Sequence, residues 1–82
     1  MNWLNDILID SASPVPKYLQ LADAITVRVH AGRIRKNEVL PSLHNCCVEL
    51  ELSKKTVEKA YNTLKTRGIA GSFKGKGYYI SG

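Results

Sequence analysis

Residues 52–64 read Leu-Ser-Lys-Lys-Thr-Val-Glu-Lys-Ala-Tyr-Asn-Thr-Leu, and this stretch predicts one short amphipathic helix. Ser53 is a preferred N-cap residue, because its hydroxyl can accept a hydrogen bond from an orphan N–H of the first helical turn. At about 100° per residue, one face of the helix carries the apolar residues Val57, Ala60, Tyr61 and Leu64. The opposite face carries Lys55, Lys59, Asn62 and Thr66, with Glu58 and Thr63 beside them.

The first turn of this helix is cationic. A helix N-terminus favours anions, yet Lys54 and Lys55 place two positive charges there. This arrangement lowers the stability of the helix slightly, and it makes sense if an external polyanion binds the helix. An ordinary solvated Lys-rich surface helix is the alternative interpretation, and for the stretch taken alone it is the more common one.

Length and composition restrict the classes of protein that need to be considered. Eighty-two residues, 44% of them hydrophobic, allow one domain with a small core. No apolar run approaches the length of a membrane span, and no basic segment precedes the first apolar residues as in a signal peptide. The two cysteines, Cys46 and Cys47, are adjacent and do not form a disulfide framework. The sequence therefore predicts a cytoplasmic protein with reduced thiols.

Positive charge is concentrated in the C-terminal part of the chain. Residues 53–82 carry seven cationic side chains and one anionic side chain, a net charge of +6, whereas residues 1–52 carry five cations and six anions. Such an imbalance predicts a polyanionic partner, most simply nucleic acid. An anionic membrane surface would require larger apolar anchors than the Thr, Asn and Lys side chains of residues 53–67.

Two further helices are predicted before residue 52. Residues 1–10 fit a short helix or a strand, and residues 11–16 form a linker that contains two prolines. A helix that starts at Pro16 and ends at Gly32 follows from the apolar stripe of Tyr18, Leu21, Ala22, Ile25 and Val29. His30 lies beside this stripe and is interpreted as a surface or boundary residue and not as a metal ligand, since no metal-binding partner lies one turn away.

The next helix begins after Ser42, a good N-cap residue, and runs to about Leu50. Its partly inward-facing residues are Leu43, Cys46, Cys47 and Leu50. Glu51 and Leu52 then form a tight turn into the helix of residues 53–67. Two short helices joined in this way form a helix-turn-helix, whose second helix can enter a DNA major groove.

A hairpin is predicted after Gly68, which ends the third helix. Ile69–Phe73 and Tyr78–Ile80 are typical of short strands, and Lys74-Gly75-Lys76-Gly77 forms a tight cationic turn between them. Glycine and lysine suit close approach to a phosphate backbone or a minor groove. Taken alone, the turn is more simply a hairpin with polar turn residues; after a helix-turn-helix, the hairpin is a wing.

Four stretches together resemble the N-terminal winged helix-turn-helix domain of the GntR family of bacterial transcription regulators. Residues 13–25 (SPVPKYLQLADAI) resemble the first helix of the family, and residues 39–42 (VLPS) resemble its Leu-Pro-Ser motif before helix two. Residues 52–61 (LSKKTVEKAY) resemble the recognition helix, and residues 75–80 (GKGYYI) resemble the wing. The resemblance implies a mostly α fold of three helices plus a small β-hairpin, in a DNA-binding domain of residues 13–82 preceded by an N-terminal segment of residues 1–12.

The resemblance also implies a set of DNA-contacting residues. It comprises Ser42 and His44 of helix two, Ser53, Lys54 and Thr56 of the recognition helix, and Lys74, Gly75 and Lys76 of the wing. Helical geometry adds Lys55 and Lys59. Glu58 occupies a position where several relatives carry a base-reading arginine; it could accept a hydrogen bond from cytosine N4, brace a neighbouring lysine, or not touch DNA.

Several positions depart from the pattern of the family. His44 and Lys54 stand where arginine is usual, and Lys54 therefore offers a point charge instead of a bidentate guanine contact. Glu51 stands where glycine is usual, and a positive φ there would cost about 1 kcal/mol or more. Cys46 and Cys47 replace a Leu-Ala pair, which favours the interpretation of both cysteines as small core residues. His44 and Cys47 are one turn apart, but two ligands are too few for a metal site.

The function implied is sequence-specific DNA binding by a GntR-like regulator, most simply a repressor. Helix 53–67 would lie in the major groove and the wing, residues 71–80, on the backbone or minor groove. A homodimer would bind a palindromic operator, without cofactor or metal. We expect the effector or dimerisation domain to be absent from this chain, so that a small-molecule effector would act only through that missing C-terminal domain. A winged helix for protein–protein or RNA contact is the alternative; no constellation of catalytic residues indicates an enzyme.

Overall fold

The structure, a computed structural model, describes residues 3–73 and 77–81 of the chain. A short 3-10 helix, Trp3–Asp6, is followed by three α-helices, α1 (Lys17–His30), α2 (Leu43–Leu50) and α3 (Lys54–Thr66). Two strands, β1 (Ala70–Phe73) and β2 (Gly77–Ile80), form an antiparallel hairpin. The predicted three helices and hairpin are confirmed. No helix in the described part of the chain is long and apolar enough to span a membrane.

The core forms where α1 packs against α3, and the predicted apolar stripes are what bring the two helices together. Leu21, Ala22 and Ile25 of α1 are buried, as are the four apolar residues predicted for α3. Those four are Val57, Ala60, Tyr61 and Leu64. Each large apolar side chain removed from water contributes roughly 1.5–3 kcal/mol, so these stripes fix the orientation of α3 on the domain.

The N-terminal segment contributes to the same core. Trp3, Leu4 and Ile7 are buried, and the 3-10 helix contacts α2. The indole Nε1–H of Trp3 donates to Glu38 Oε2 at 3.2 Å, and the other carboxylate oxygen of Glu38 accepts from the Arg35 N–H at 3.1 Å. The choice between helix and strand, which the sequence left open, is therefore settled as a single 3-10 turn.

The turn between α2 and α3 depends on the backbone of Glu51. This residue, at a position that glycine usually fills, adopts the left-handed conformation, with φ 54° and ψ 47°. Its N–H and that of Leu52 both donate to the Cys47 carbonyl, which satisfies an orphan acceptor at the end of α2. The buried Leu52 side chain then fixes the path of the chain into α3.

The wing is wider than the sequence predicted. The hairpin register pairs Ala70 with Ile80 and Gly71 with Tyr79. Residues 37–40 pair along the other edge of β2, through a bridge between Val39 and Tyr79 and through the Leu40 N–H, which donates to the Tyr78 carbonyl at 2.9 Å. In the sequence, Val39 belongs only to the VLPS stretch of residues 39–42, and the pairing of this segment with β2 was not predicted. The segment was missed because two apolar residues are too few to show strand periodicity.

One glycine of the wing leaves room for an aromatic ring. The Tyr79 ring lies over Gly71 so closely that a Cβ at this position would come within 2.7 Å of the Tyr79 hydroxyl oxygen. Tyr79 also packs against Phe73, with ring centroids 4.4 Å apart. Gly71 therefore allows the ring of Tyr79 to cover the outer face of β1.

Candidate nucleic-acid interface

The start of α3 is fixed by a side-chain cap. The Ser53 hydroxyl accepts from the Thr56 N–H at 3.1 Å, as the sequence predicted, and it also lies 2.8 Å from the Thr56 hydroxyl. The two hydroxyl groups thus satisfy each other and one orphan N–H of the helix. Ser53 is exposed and Thr56 partly so, which leaves this cap accessible to a ligand.

The outer face of α3 carries charges that take part in no salt bridge of the described residues. Lys54, Lys55, Glu58 and Lys59 are all exposed. Within residues 3–73 and 77–81 the salt bridges are Arg33–Asp6 and Arg67–Asp23, and none of these four residues takes part in them. The predicted polar face of α3 is therefore an exposed surface with an excess of positive charge.

One side of this surface borders a groove between α2 and the wing. The groove has a volume of about 650 Å³, and Ser42, His44 and Lys54 lie among its lining residues. Its other walls are largely apolar and include Val39, Leu43, Cys47 and Tyr78. The structure therefore brings together three of the predicted contact residues, one from the N-cap of α2, one from its first turn and one from the start of α3.

The other side of α3 borders a second, cationic cleft of about 580 Å³. Lys55, Thr56 and Lys59 of α3 face Pro16, Lys17 and Tyr18 at the start of α1 across it. The Lys59 ammonium lies 4.3 Å from the centroid of the Tyr18 ring, a cation–π contact. Sequence reasoning missed Lys17, and it assigned Tyr18 only to the core stripe of α1. No local sequence pattern marks Lys17, because its place beside α3 depends on how the two helices pack.

Two cationic side chains of the basic C-terminal part form contacts within the domain. Arg67 forms a salt bridge with Asp23 at 2.9 Å and donates to the Thr26 hydroxyl at 3.1 Å, which ties the end of α3 to α1. The Lys65 ammonium donates to the Ser72 hydroxyl of β1 at 3.3 Å. The net charge of residues 53–82 therefore overstates the number of cations available to a partner.

A buried tyrosine holds the three parts of the surface in place. The Tyr61 hydroxyl of α3 donates to the Pro41 carbonyl at 2.8 Å, directly before the N-cap of α2. Its ring meets Tyr78 of the wing edge to face, with centroids 4.9 Å apart. Burial raises the pKa of Tyr61 far above its ordinary value, so the hydroxyl stays protonated and keeps donating at neutral pH. Helix α3, the start of α2 and the wing are thus held together through one side chain.

The two cysteines differ in their surroundings. Cys46 is fully buried, and this burial raises the pKa of its thiol from 9.0 to about 11, which keeps it protonated and unreactive. Cys47 is only partly buried and lines the groove beside His44. The prediction of small core residues is therefore confirmed in full for Cys46 and in part for Cys47.

The tip of the wing lies outside the described residues. The predicted contacts of Lys74, Gly75 and Lys76 thus stay predictions. In the described part of the chain, no three His, Cys, Asp or Glu side chains come together as a metal site would require.

A family model described as "Bacterial regulatory proteins, gntR family" matches residues 17–80. The transcriptional repressor NagR of Bacillus subtilis is 27% identical over 73 residues, which cover 89% of this chain but 30% of NagR. The chain thus spans less than a third of the length of this relative.

Two solved structures share the fold and part of the sequence. YtrA from Sulfolobus acidocaldarius, a GntR-family transcription factor, superposes with a TM-score of 0.87 at 32% identity, over 93% of this chain and 80% of that one. The N-terminal domain of AraR, in complex with a mutant ORR3 operator, has a TM-score of 0.76 at 25% identity, over 82% of this chain and 96% of that one. The chain therefore belongs to the gntR family of bacterial regulatory proteins.

Proposed function

We propose that this chain is the sequence-specific DNA-binding domain of a transcription regulator. It acts by occupying DNA and carries out no chemistry. The observation that carries the proposal is the position of exposed, unneutralised lysines on both sides of α3, next to the capped start of that helix. A B-DNA major groove, about 12 Å wide, admits one α-helix.

The two clefts beside α3 suit the two backbones that border a major groove. On one side, Ser42 and His44 would donate to phosphate oxygens, and Lys54 would add a charge. On the other side, Lys17, Lys55 and Lys59 would do the same. Such contacts set the position and orientation of a helix, while base edges are read by the side chains between them.

Glu58 is the base-reading candidate that distinguishes this surface. It is exposed on α3 and outside both salt bridges of the described residues. A carboxylate accepts hydrogen bonds only, and the major-groove donors are the amino groups of cytosine and adenine. We therefore propose that Glu58 favours cytosine N4 at its position and disfavours the acceptor-rich edge of guanine.

The proposal also covers the role of the whole regulator. NagR is a repressor and the AraR domain binds an operator, so repression from an operator is the role that we propose here. A homodimer bound to a palindrome would place two copies of α3 about one helical turn apart, in successive major grooves. Dimerisation and response to a small-molecule effector would belong to a C-terminal domain, and the protein would work in the cytoplasm.

Selection of duplexes from a random pool would test the proposal, followed by binding measurements on the enriched sequence. Lys54→Gln should weaken binding at least severalfold at low salt, because it removes a phosphate contact. Lys36→Gln is the matched control, since Lys36 is an exposed loop lysine that lines neither cleft. Equal losses in the two variants would contradict a localised interface. Equal affinity for an RNA duplex of the same sequence would favour the alternative of RNA binding.

A further inference from the structure

We infer that Tyr18 is a positioning residue for DNA binding. Its ring holds Lys59, so that α1 and α3 together present Lys17, Lys55 and Lys59 to one phosphate strand. This inference rests on the proposed function and adds a role for a side chain that the family motif marks only as part of the first helix.

The contact joins two different helices. Tyr18 is the second residue of α1, and its half-buried ring belongs to the periphery of the core. The Lys59 ammonium lies 4.3 Å from the ring centroid, well within the distance of about 6 Å at which a cation–π attraction operates. Lys59 itself is exposed, so the N–H groups that point away from the ring remain free to donate to a phosphate.

The positive charges around this contact explain how it would affect the position of Lys59. Lys17, Lys55 and Lys59 line the same cleft of about 580 Å³. None of them is in either salt bridge of residues 3–73 and 77–81. Three like charges repel one another in the free protein, and a flexible lysine would respond by turning away from the cleft. The negative face of the Tyr18 ring offsets part of this repulsion and keeps Lys59 at the cleft.

Preorganisation is what Tyr18 would add to binding. A lysine side chain has many rotamers, and ordering it on a phosphate costs conformational entropy. A ring that restricts Lys59 before DNA arrives lowers that cost, which appears as higher affinity. At an exposed site the expected gain is about two- to fivefold in Kd.

A double-mutant cycle at Tyr18 and Lys59 would test the inference. The probe is a labelled DNA duplex of mixed sequence, about three helical turns long, at low salt. Tyr18→Leu should weaken binding about two- to fivefold, whereas Tyr18→Phe, which keeps the ring, should bind like the parent chain. In a Lys59→Gln background, Tyr18→Leu should have no further effect, because the side chain through which the ring acts is gone.

The remaining outcomes decide against the inference. Equal weakening by Tyr18→Leu in both backgrounds would assign Tyr18 a purely structural role. Tighter binding by Tyr18→Leu would mean that the ring competes with phosphate for Lys59, and unchanged binding would mean that the contact does not matter. If the parent chain binds no DNA duplex at all, the proposed function itself fails.

A spectroscopic readout covers the case in which Tyr18→Leu does not fold. The ε-methylene protons of Lys59 should show a ring-current shift in the free parent chain and in Tyr18→Phe. Tyr18→Met, which keeps apolar bulk without a π face, should lose that shift and weaken DNA binding as Tyr18→Leu does. Absence of the shift in the parent chain would remove the basis of the inference.

Discussion

Glu51 departs from the family motif at one position, and this departure is expected to lower the stability of the fold. Its left-handed backbone is strained for a residue with a Cβ, and its carboxylate lies at the negative end of α2. Glu51→Gly should therefore raise the free energy of unfolding by about 1 kcal/mol, after allowance for the greater freedom of glycine in the unfolded chain. Chemical denaturation followed by circular dichroism would measure the change.

Glu49→Gly is the matched control for that experiment. It also removes one exposed acidic residue, but at a position inside α2 with ordinary helical conformation. This variant should be less stable than the parent by about 1 kcal/mol, because glycine is a poor helix former. If both glycine variants shift stability in the same direction, backbone strain at Glu51 is not the cause.

Cys46 gives the domain a sensitivity to alkaline pH. Burial raises the pKa of its thiol from 9.0 to about 11, so the folded chain keeps a proton that the unfolded chain loses. The associated stability is complete below pH 9.0 and is lost as the pH rises to about 11, at no more than about 1.4 kcal/mol per pH unit. Urea titrations across this range should show a shallower decline for Cys46→Ala, while Cys47→Ala serves as control.

The residues that could be predicted from sequence are those whose environment is local. Ser42 and Ser53 are caps, and each accepts from the N–H three residues later, as a cap does in any helix. The sequence also placed Glu51 in a tight turn, at a position that glycine usually fills, and the structure shows a positive φ there. Lys17 and the Tyr18–Lys59 contact could not be predicted in the same way, because they depend on how α1 crosses α3, and a single sequence does not specify that crossing.

At the scale of elements, long periodic segments were predictable and short ones were not. The stripes of α1 and α3 repeat over several turns, which leaves no alternative to a helix. Residues 37–40 pair with the free edge of β2 as a third segment of the wing. They contain a single β-bridge and no alternation of apolar and polar residues that would indicate a strand. The 3-10 helix of residues 3–6 is a single turn, too short for its apolar residues to distinguish helix from strand.

The N-terminal 3-10 helix should matter for stability more than its length suggests. Trp3 is buried and its indole is bonded to Glu38, whose carbonyl in turn accepts from the Ile80 N–H of β2 at 2.9 Å. Trp3→Ala should cost about 3–5 kcal/mol, a large share of the stability of a small domain. Thermal unfolding would measure this loss. Leu8→Ala is the control, because Leu8 is 90% exposed and should change stability by less than about 0.5 kcal/mol.

Trp3→Phe separates the two contributions of that side chain. Phenylalanine keeps most of the apolar area and loses the hydrogen bond to Glu38 together with a small part of the buried volume, so the expected loss is about 1–2 kcal/mol. If Trp3→Phe lost as much stability as Trp3→Ala, the hydrogen bond to Glu38, and through it the link to β2, would account for most of the contribution of Trp3 to stability.

For the molecule as a whole, the distribution of charge predicts how DNA affinity responds to salt. The chain has a net charge of +5, and lysines that are outside the salt bridges of the described residues lie on both sides of α3. If one copy neutralises about four phosphates, its affinity should fall about 100-fold between 50 and 200 mM salt. A dimer on a palindrome, with twice the contacts, should lose about 10⁴-fold over the same range.

Neutralising two lysines of α3 tests whether these particular charges set that response. Lys54→Gln combined with Lys55→Gln should reduce the slope of log affinity against log salt by about 1.8, since each phosphate contact contributes about 0.9. Lys36→Gln should leave the slope unchanged, although it also lowers the net charge. The slope could instead depend on net charge alone, whichever lysines are removed. In that case DNA would bind the domain through its overall positive charge, and α3 would not form a specific part of the interface.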